Sequence, residues 1–310
     1  MCRSKAEGGR RCGCAYNMRL NLGEVRAVLD QAQKYRGNPD PANARRQPIR
    51  RLANYQRKLQ AEAYNIDHAL DALTADIVGR DLIEGTVVVT GPDGQNMEVG
   101  IRRPAPRFDG TGIEDRLSEE EIKRVSSQRL SMSQLREQYP DVYDSIHTVN
   151  GRDSHDYLPE AFEEGEFERR HSRYKNNYTR SVGKDPDTIL HDVVTLTARA
   201  KETRQLRAEV KETLADSLPV GTVLAPWKQK GEFSSSGVKI VDTFDSVTPA
   251  KVRSWAKERD NGAQVLSDIT AIAVDSAKVK RHFPEVYESL RRPGAAKLDV
   301  KAVGATPDGK

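Results

Sequence analysis

Gln138-Tyr139-Pro140-Asp141-Val142-Tyr143-Asp144-Ser145-Ile146 returns near the far end of the chain as His282-Phe283-Pro284-Glu285-Val286-Tyr287-Glu288-Ser289-Leu290, at a constant offset of 144 residues. Proline forbids a continuous helix in either copy, because its ring clashes with the preceding turn and it offers no N–H. Two short helices are therefore predicted in each place. Ser131 or Ser133 caps the first and Pro140 opens the second; later in the chain Asp275-Ser276 and Pro284 take those parts. Val142, Tyr143 and Ile146 make an apolar face at i, i+1 and i+4, which assigns the aromatic residues to packing against a neighbouring sheet.

Leu82-Ile83-Glu84-Gly85-Thr86-Val87 is likewise matched by Leu218-Pro219-Val220-Gly221-Thr222-Val223 at an offset of 136. A capping box at Ser118-Glu119-Glu120-Glu121 corresponds to the Thr248-Pro249 helix start at an offset of 130. Ahead of each set runs a long apolar stripe. Ile49, Leu52, Gln56, Leu59, Ala63, Ile66, Leu70, Leu73 and Ile77 alternate steps of three and four, with Pro48 in the first turn. Ile189, Val193, Leu196, Ala200 and Thr203 do the same, and Leu206, Val210 and Leu214 continue after a stutter. Gln56 is polar and Ala63 small, so an antiparallel hairpin within the chain and a dimer of helices both fit the first seam.

These landmarks predict an α+β fold of two duplicated units, each a long coiled-coil-like helix followed by a small β-β-α-β-α module. The expected divisions are a flexible tail at 1–20, a first unit at 21–150, a charged connector at 151–186, a second unit at 187–303 and a disordered end at 304–310. A short helix on Leu22, Val25, Leu29 and Ala32 precedes the first long one and stops at Gly37-Asn38-Pro39. Hairpins are expected at 86–101, around the turn Gly91-Pro92-Asp93-Gly94, and from 218–223 onward through Gly231 to Gly237. Further strands are expected at 126–130, 263–274 and 298–303.

Mean hydropathy is −0.72 and 31% of the residues are charged, which describes a surface-rich protein. With no long apolar run and no signal-like core, the sequence reads as cytoplasmic. The net charge of +4 is uneven: residues 1–65 hold fourteen Lys or Arg against five acids. The basic run Arg45, Arg46, Arg50, Arg51, Arg57 and Lys58, with Tyr55 among them, is the candidate nucleic-acid contact, the alternative being a solvated helix face. Cys2, Cys12 and Cys14 can supply three thiolates to zinc, but no histidine precedes His68 to close the tetrahedron, so free thiols and no cofactor are the simpler reading. His147, Asp153, His155 and Asp156 lack a recognised ligand spacing. No phosphate loop, nucleophile elbow or His-Glu-x-x-His is present, which points away from an enzyme.

Val238-Lys239-Ile240-Val241, the helix over 249–259 and the segment 274–290, taken with the element order of 187–303, resemble the Gam family of phage proteins. Members bind double-stranded DNA ends and block host exonucleases. The resemblance implies a non-enzymatic DNA-binding accessory protein of a phage or mobile element, acting in a bacterial host cell. This chain departs from the family in having two such units, and no binding residue carries over by position. The opening Cys2-Arg3-Ser4-Lys5-Ala6-Glu7-Gly8-Gly9-Arg10-Arg11-Cys12 is similar to a short box heading many uncharacterised actinobacterial and actinophage proteins. A virion or assembly protein whose heptad helices pair with themselves or another chain is the alternative function, and a metal-dependent nuclease the third.

Overall fold

The computed structural model of the chain describes residues 20–91, 94–157, 184–224 and 237–303. The three cysteines, residues 158–183 of the expected connector and Gly231 in the expected second hairpin lie outside them. The fold is mixed α and β. It has two compact units, one made of Met1–Arg102, Arg152–Val241 and Ala296–Lys310, the other of Arg103–Gly151 and Asp242–Ala295. Each unit draws on both halves of the sequence: one division falls at 151/152, beside the boundary expected at 150, but none falls at 187, and others fall at 102/103, 241/242 and 295/296.

In the first unit, helix α1 (Leu22–Ala32) starts where the Asn21 side chain accepts from the Glu24 N–H, and a 3-10 turn (Gln33–Tyr35) follows it. Gly37, at φ +74°, takes the left-handed conformation that ends this segment. Helix α2 (Gln47–Gly79) has Pro48 in its first turn and buries Ile49, Leu52, Gln56, Leu59, Ile66, Leu73 and Ile77 of the predicted seam. Ala63 and Leu70 are half-buried. Helix α6 (Pro186–Ser217) begins at Asp185, whose carboxylate accepts from the Thr188 N–H, and it buries every residue of its predicted stripe.

The two long helices run antiparallel. Ile49, Leu52 and Leu59 of α2 share a cluster with Leu206, Val210 and Leu214 of α6, while Ile66, Leu73 and Ile77 share one with Ile189, Val193, Leu196 and Ala200. The seam that could have served a dimer is thus filled within the chain. α1 adds Val25, Val28 and Leu29 to the first cluster. Each fully buried Leu or Ile here contributes roughly 1.5–3 kcal/mol from apolar burial.

Two small sheets cover this helix pair. Strands β1 (Thr86–Thr90), β2 (Asn96–Arg102) and β10 (Lys297–Ala302) form an antiparallel sheet in the order β1-β2-β10, with Val87, Val89, Met97 and Val99 turned to the second cluster. The other sheet has the order β5-β7-β6, from β5 (Val149–Tyr157), β6 (Val223–Leu224) and β7 (Gly237–Phe244). Leu224, Val238 and Ile240 place it on the first cluster. Residues 151–157, expected in the connector, are therefore strand. Their charged side chains hid a segment whose buried member is a serine: Ser154 is fully enclosed.

In the second unit, β3 (Arg107–Phe108) pairs with β9 (Arg291–Arg292). Helix α3 (Glu119–Val125) carries the predicted capping box, with the Ser118 N–H donating to Glu121 Oε2 at 2.8 Å. Strand β4 (Ser126–Leu130) pairs antiparallel with β8 (Thr270–Val274), Gln128 opposite Ile272. β4 leads to α4 (Met132–Gln138) and α5 (Pro140–Ile146), and β8 leads to α9 (Ser276–His282) and α10 (Pro284–Ser289). The residues at the two proline junctions have nearly the same backbone, φ −134° and ψ 59° at Tyr139 against −139° and 65° at Phe283. Their aromatic rings pack in different clusters. Tyr139 and Tyr143 join Leu135, Ile146 and Val252, whereas Phe283 and Tyr287 join Val125 and Val279, with Tyr287 stacked on Phe108 at 5.2 Å between centroids.

One expectation fails here. Helix α7 (Pro249–Lys257), capped by Thr248, is followed by a further helix, α8 (Gly262–Asp268), in place of the first part of the strand expected over 263–274. Val265 and Ile269, four residues apart, are both buried in the same cluster, a helical repeat that the β-branched composition obscured.

A carboxylate joins the start of α7 to the chain leaving α5. Asp245 pairs with the Lys251 ammonium and accepts from the Thr148 backbone N–H at 3.0 Å, which together hold its pKa well below the usual range. A depressed folded pKa contributes stability above the unfolded value of 3.8, lost as pH falls below it. Asp245→Asn should therefore lower the melting temperature at neutral pH, with the gap to wild type closing as melts are repeated below pH 3.8.

Candidate nucleic-acid interface

Between Asp40 and Glu62 the sequence has six Arg or Lys and no carboxylate. The structure builds this stretch from two rigid pieces of the first unit. A 3-10 turn (Pro41–Arg45) opens with the Asp40 side chain accepting from the Ala42 N–H at 2.8 Å. Asn43 is buried and donates through Nδ2 to the carbonyls of Asn38 and Ser217, at 3.0 and 3.1 Å, which ties the turn to the end of α6. Arg45 and Arg46 leave this anchored turn as exposed side chains. α2 follows at once, with no side-chain cap and no acid in its first turn. Its unsatisfied N–H groups add to the positive field that the arginines supply.

Along α2 the buried positions Ile49, Leu52, Ala53 and Gln56 face the core, leaving Arg50 and Lys58 exposed and Arg57 half-buried on the outer side. Arg51 and Tyr55 are engaged internally. Arg51 meets Glu24 of α1 at 2.9 Å, and the Tyr55 hydroxyl donates to the same carboxylate. Burial first, and then Glu24, raises the tyrosine pKa; the Tyr55 hydrogen bond is the main cause of the lowered Glu24 value. Tyr55 is 6% exposed, with the Arg51 guanidinium and Lys58 ammonium 6.0 and 5.6 Å from its ring centre. It is a packing residue here and offers no open face for a base to stack on.

Of the candidate residues, then, Arg45, Arg46, Arg50 and Lys58 stand on the surface, Arg51 and Arg57 flank them, and Tyr55 supports them from beneath. Neighbouring Arg36 is spent on the fold, bonding Glu212 at 2.7 Å and Asp216 at 2.9 Å. Sequence reasoning missed Asn43, which fixes the turn, and Glu24, which neutralises Arg51. Both act through α1 or α6, and no local pattern announces them.

Searches against protein-family models, curated proteins and solved structures found no match. The chemistry of the site must speak for itself. Among the described residues no three His, Cys, Asp or Glu side chains converge to hold a metal, and no helix is long and apolar enough to cross a membrane. Asp153 pairs with Lys211 at 2.7 Å and lies 3.1 Å from the His155 ring nitrogen, while Asp156 faces Arg207 at 3.6 Å, so each carboxylate has a lysine or arginine against it. In the second unit a cleft of about 260 Å³ between Thr111, Arg116, Ser289 and Arg292 also contains Asp115, and Asp109 bonds Arg292 at 2.8 Å. Acid and base are matched in this cleft.

Proposed function

We propose that the chain is a non-enzymatic nucleic-acid-binding accessory protein of a phage or mobile element, which holds duplex DNA by its phosphates through Arg45, Arg46, Arg50 and Lys58. The observation that carries this reading is the carboxylate-free stretch between Asp40 and Glu62, presented on an anchored turn and the outer face of α2. Phosphate neutralisation of this kind positions a duplex without reading its sequence, which suits a protein that protects DNA ends. The Gam-like element order supports end protection as the biological role. An internal duplication is part of the proposal, supported by the matching junctions at Tyr139 and Phe283 and by the two proline-split helix pairs.

The test is binding to a labelled linear duplex over a range of salt. Four phosphate contacts would give a slope of log affinity against log salt of up to about −3.6. The variant R45A/R46A/R50A/K58A should lose most of that slope and bind at least about tenfold more weakly in low salt, with an unchanged far-UV spectrum because these side chains are exposed. A closed circle of the same sequence separates end binding from binding along the duplex. Wild-type protein that ignores linear duplex in low salt, or a quadruple variant with undiminished affinity, would remove the proposal.

A further inference from the structure

Strand β1 reads Thr86-Val87-Val88-Val89-Thr90, the same in both directions. Among the described residues it is an outer strand of its sheet, paired with β2 alone, in an unbroken register from Thr86 opposite Gly100 to Thr90 opposite Asn96. Antiparallel pairing sends the N–H and C=O of alternate residues to opposite sides. The Val303 N–H donates to the Asn96 carbonyl, so Asn96, Glu98 and Gly100 face β10, and Met97 and Val99 face β1. Val87 and Val89 therefore bond to β2, a phase that the Gly91 N–H continues by donating to the Gln95 carbonyl. The backbone groups of Thr86, Val88 and Thr90 point outward, and among the described residues no strand receives them.

Such an edge is ordinarily blunted by a lysine, a proline or a bulge. This one has none of them. Its solvent face carries Thr86, Val88 and Thr90, with Val88 61% exposed, while Val87 and Val89 pack on the core. No charge lies within the strand to repel a neighbour.

We propose that β1 pairs with β1 of a second copy of this chain, antiparallel about Val88, so that one sheet runs continuously through both molecules. The palindrome is what selects this partner. Centring the pair on Val88 sets Val88 opposite its own counterpart, Val87 opposite Val89 and Thr86 opposite Thr90, so every cross-strand pair is Val–Val or Thr–Thr, without like charges facing. Each outward-facing pair exchanges two backbone hydrogen bonds. The contact uses the same patch on both molecules and closes at two chains, leaving the far edge at β10 untouched. It is independent of nucleic-acid binding.

Sedimentation equilibrium of the full chain should show the 34.6 kDa mass doubling as concentration rises. Two variants break the pairing by different means. Val88→Pro removes an outward N–H that β2 does not use, and Val88→Lys sets two ammonium groups face to face on a solvent-exposed position that leaves the core intact. Each should weaken the dimer by about tenfold or more. Mixing the Val88→Lys chain with a Val88→Glu chain should restore the double mass, which no misfolded variant can do. A wild-type chain that stays monomeric into the high-micromolar range overturns the proposal, as does a dimer indifferent to both substitutions, which would have another partner surface.

Discussion

Replacing Gln56 with leucine should lower the unfolding free energy by about 2–3 kcal/mol, although leucine is the residue a heptad seam prefers at that position. In a simple pair of helices the change would stabilise, since it exchanges a buried amide for apolar volume. Here the Gln56 side chain is the docking point of β5. It is fully enclosed, donates through Nε2 to the Ser154 carbonyl at 2.9 Å and to Asp156 at 3.2 Å, and accepts from the Ser154 hydroxyl. Leucine would leave two polar groups of Ser154 buried without partners, each costing about 1–3 kcal/mol, against which its extra apolar contact returns only part. Urea unfolding of Gln56→Leu measures the sign directly. Adding Ser154→Ala to it should recover part of the loss, because one orphaned group is then gone. A leucine variant more stable than wild type would show that the amide is not what holds β5.

The second large effect is expected at Gly262. A β-carbon built there would stand 2.0 Å from the Ala256 carbonyl oxygen and 2.6 Å from its carbon, both backbone atoms at the end of α7. Neither can move aside as a flexible side chain would. α8 must therefore shift bodily, drawing Val265 and Ile269 out of the cluster they share with Leu135 and Val252. Gly262→Ala should cost about 3 kcal/mol and weaken the near-UV signal of Trp255, which packs on the same cluster. Gly79→Ala is the matched control: nothing lies within 4 Å of its added methyl at the end of α2, so its stability should stay within about 0.5 kcal/mol of wild type. Equal effects at the two glycines would show that conformational entropy, not the close approach to Ala256, dominates at Gly262.

The basic surface shows where sequence reading stops. Six cations in a stretch without carboxylates were visible as letters, and their helical spacing placed most of them away from the apolar stripe. What their spacing did not contain was the partner chemistry. Glu24 neutralises Arg51 from another helix, and Tyr55 is covered by the packing of α1 on α2. Tyr55, expected among the nucleic-acid contacts, is thus a buried support for the arginines. The four exposed cations define a smaller surface, with Arg45 and Arg46 at the turn that Asn43 anchors.

Local physics determined most of the helices and their caps, α8 excepted. Proline junctions, the Ser118 capping box, Pro48 and Asp185 at helix starts and the 3.5-residue stripes all act within a few residues, so the sequence is enough to place them. Tertiary structure decided which element meets which. The α2 seam chose α6 of its own chain because Ile49 to Ile77 finds a complementary apolar stripe there, running the other way. The strand at 151–157 lacks an apolar alternation, and its reasons to be a strand lie far off in the chain: pairing with β7, the buried amide of Gln56, and the cations Lys211 and Arg207. Likewise β10 completes the sheet begun by β1 and β2, and β8 completes the ribbon begun by β4, across separations that no local pattern spans. Burial and hydrogen-bond satisfaction are properties of the folded whole, which is why the parts were legible in the sequence and the compact units, each assembled from both halves, were not.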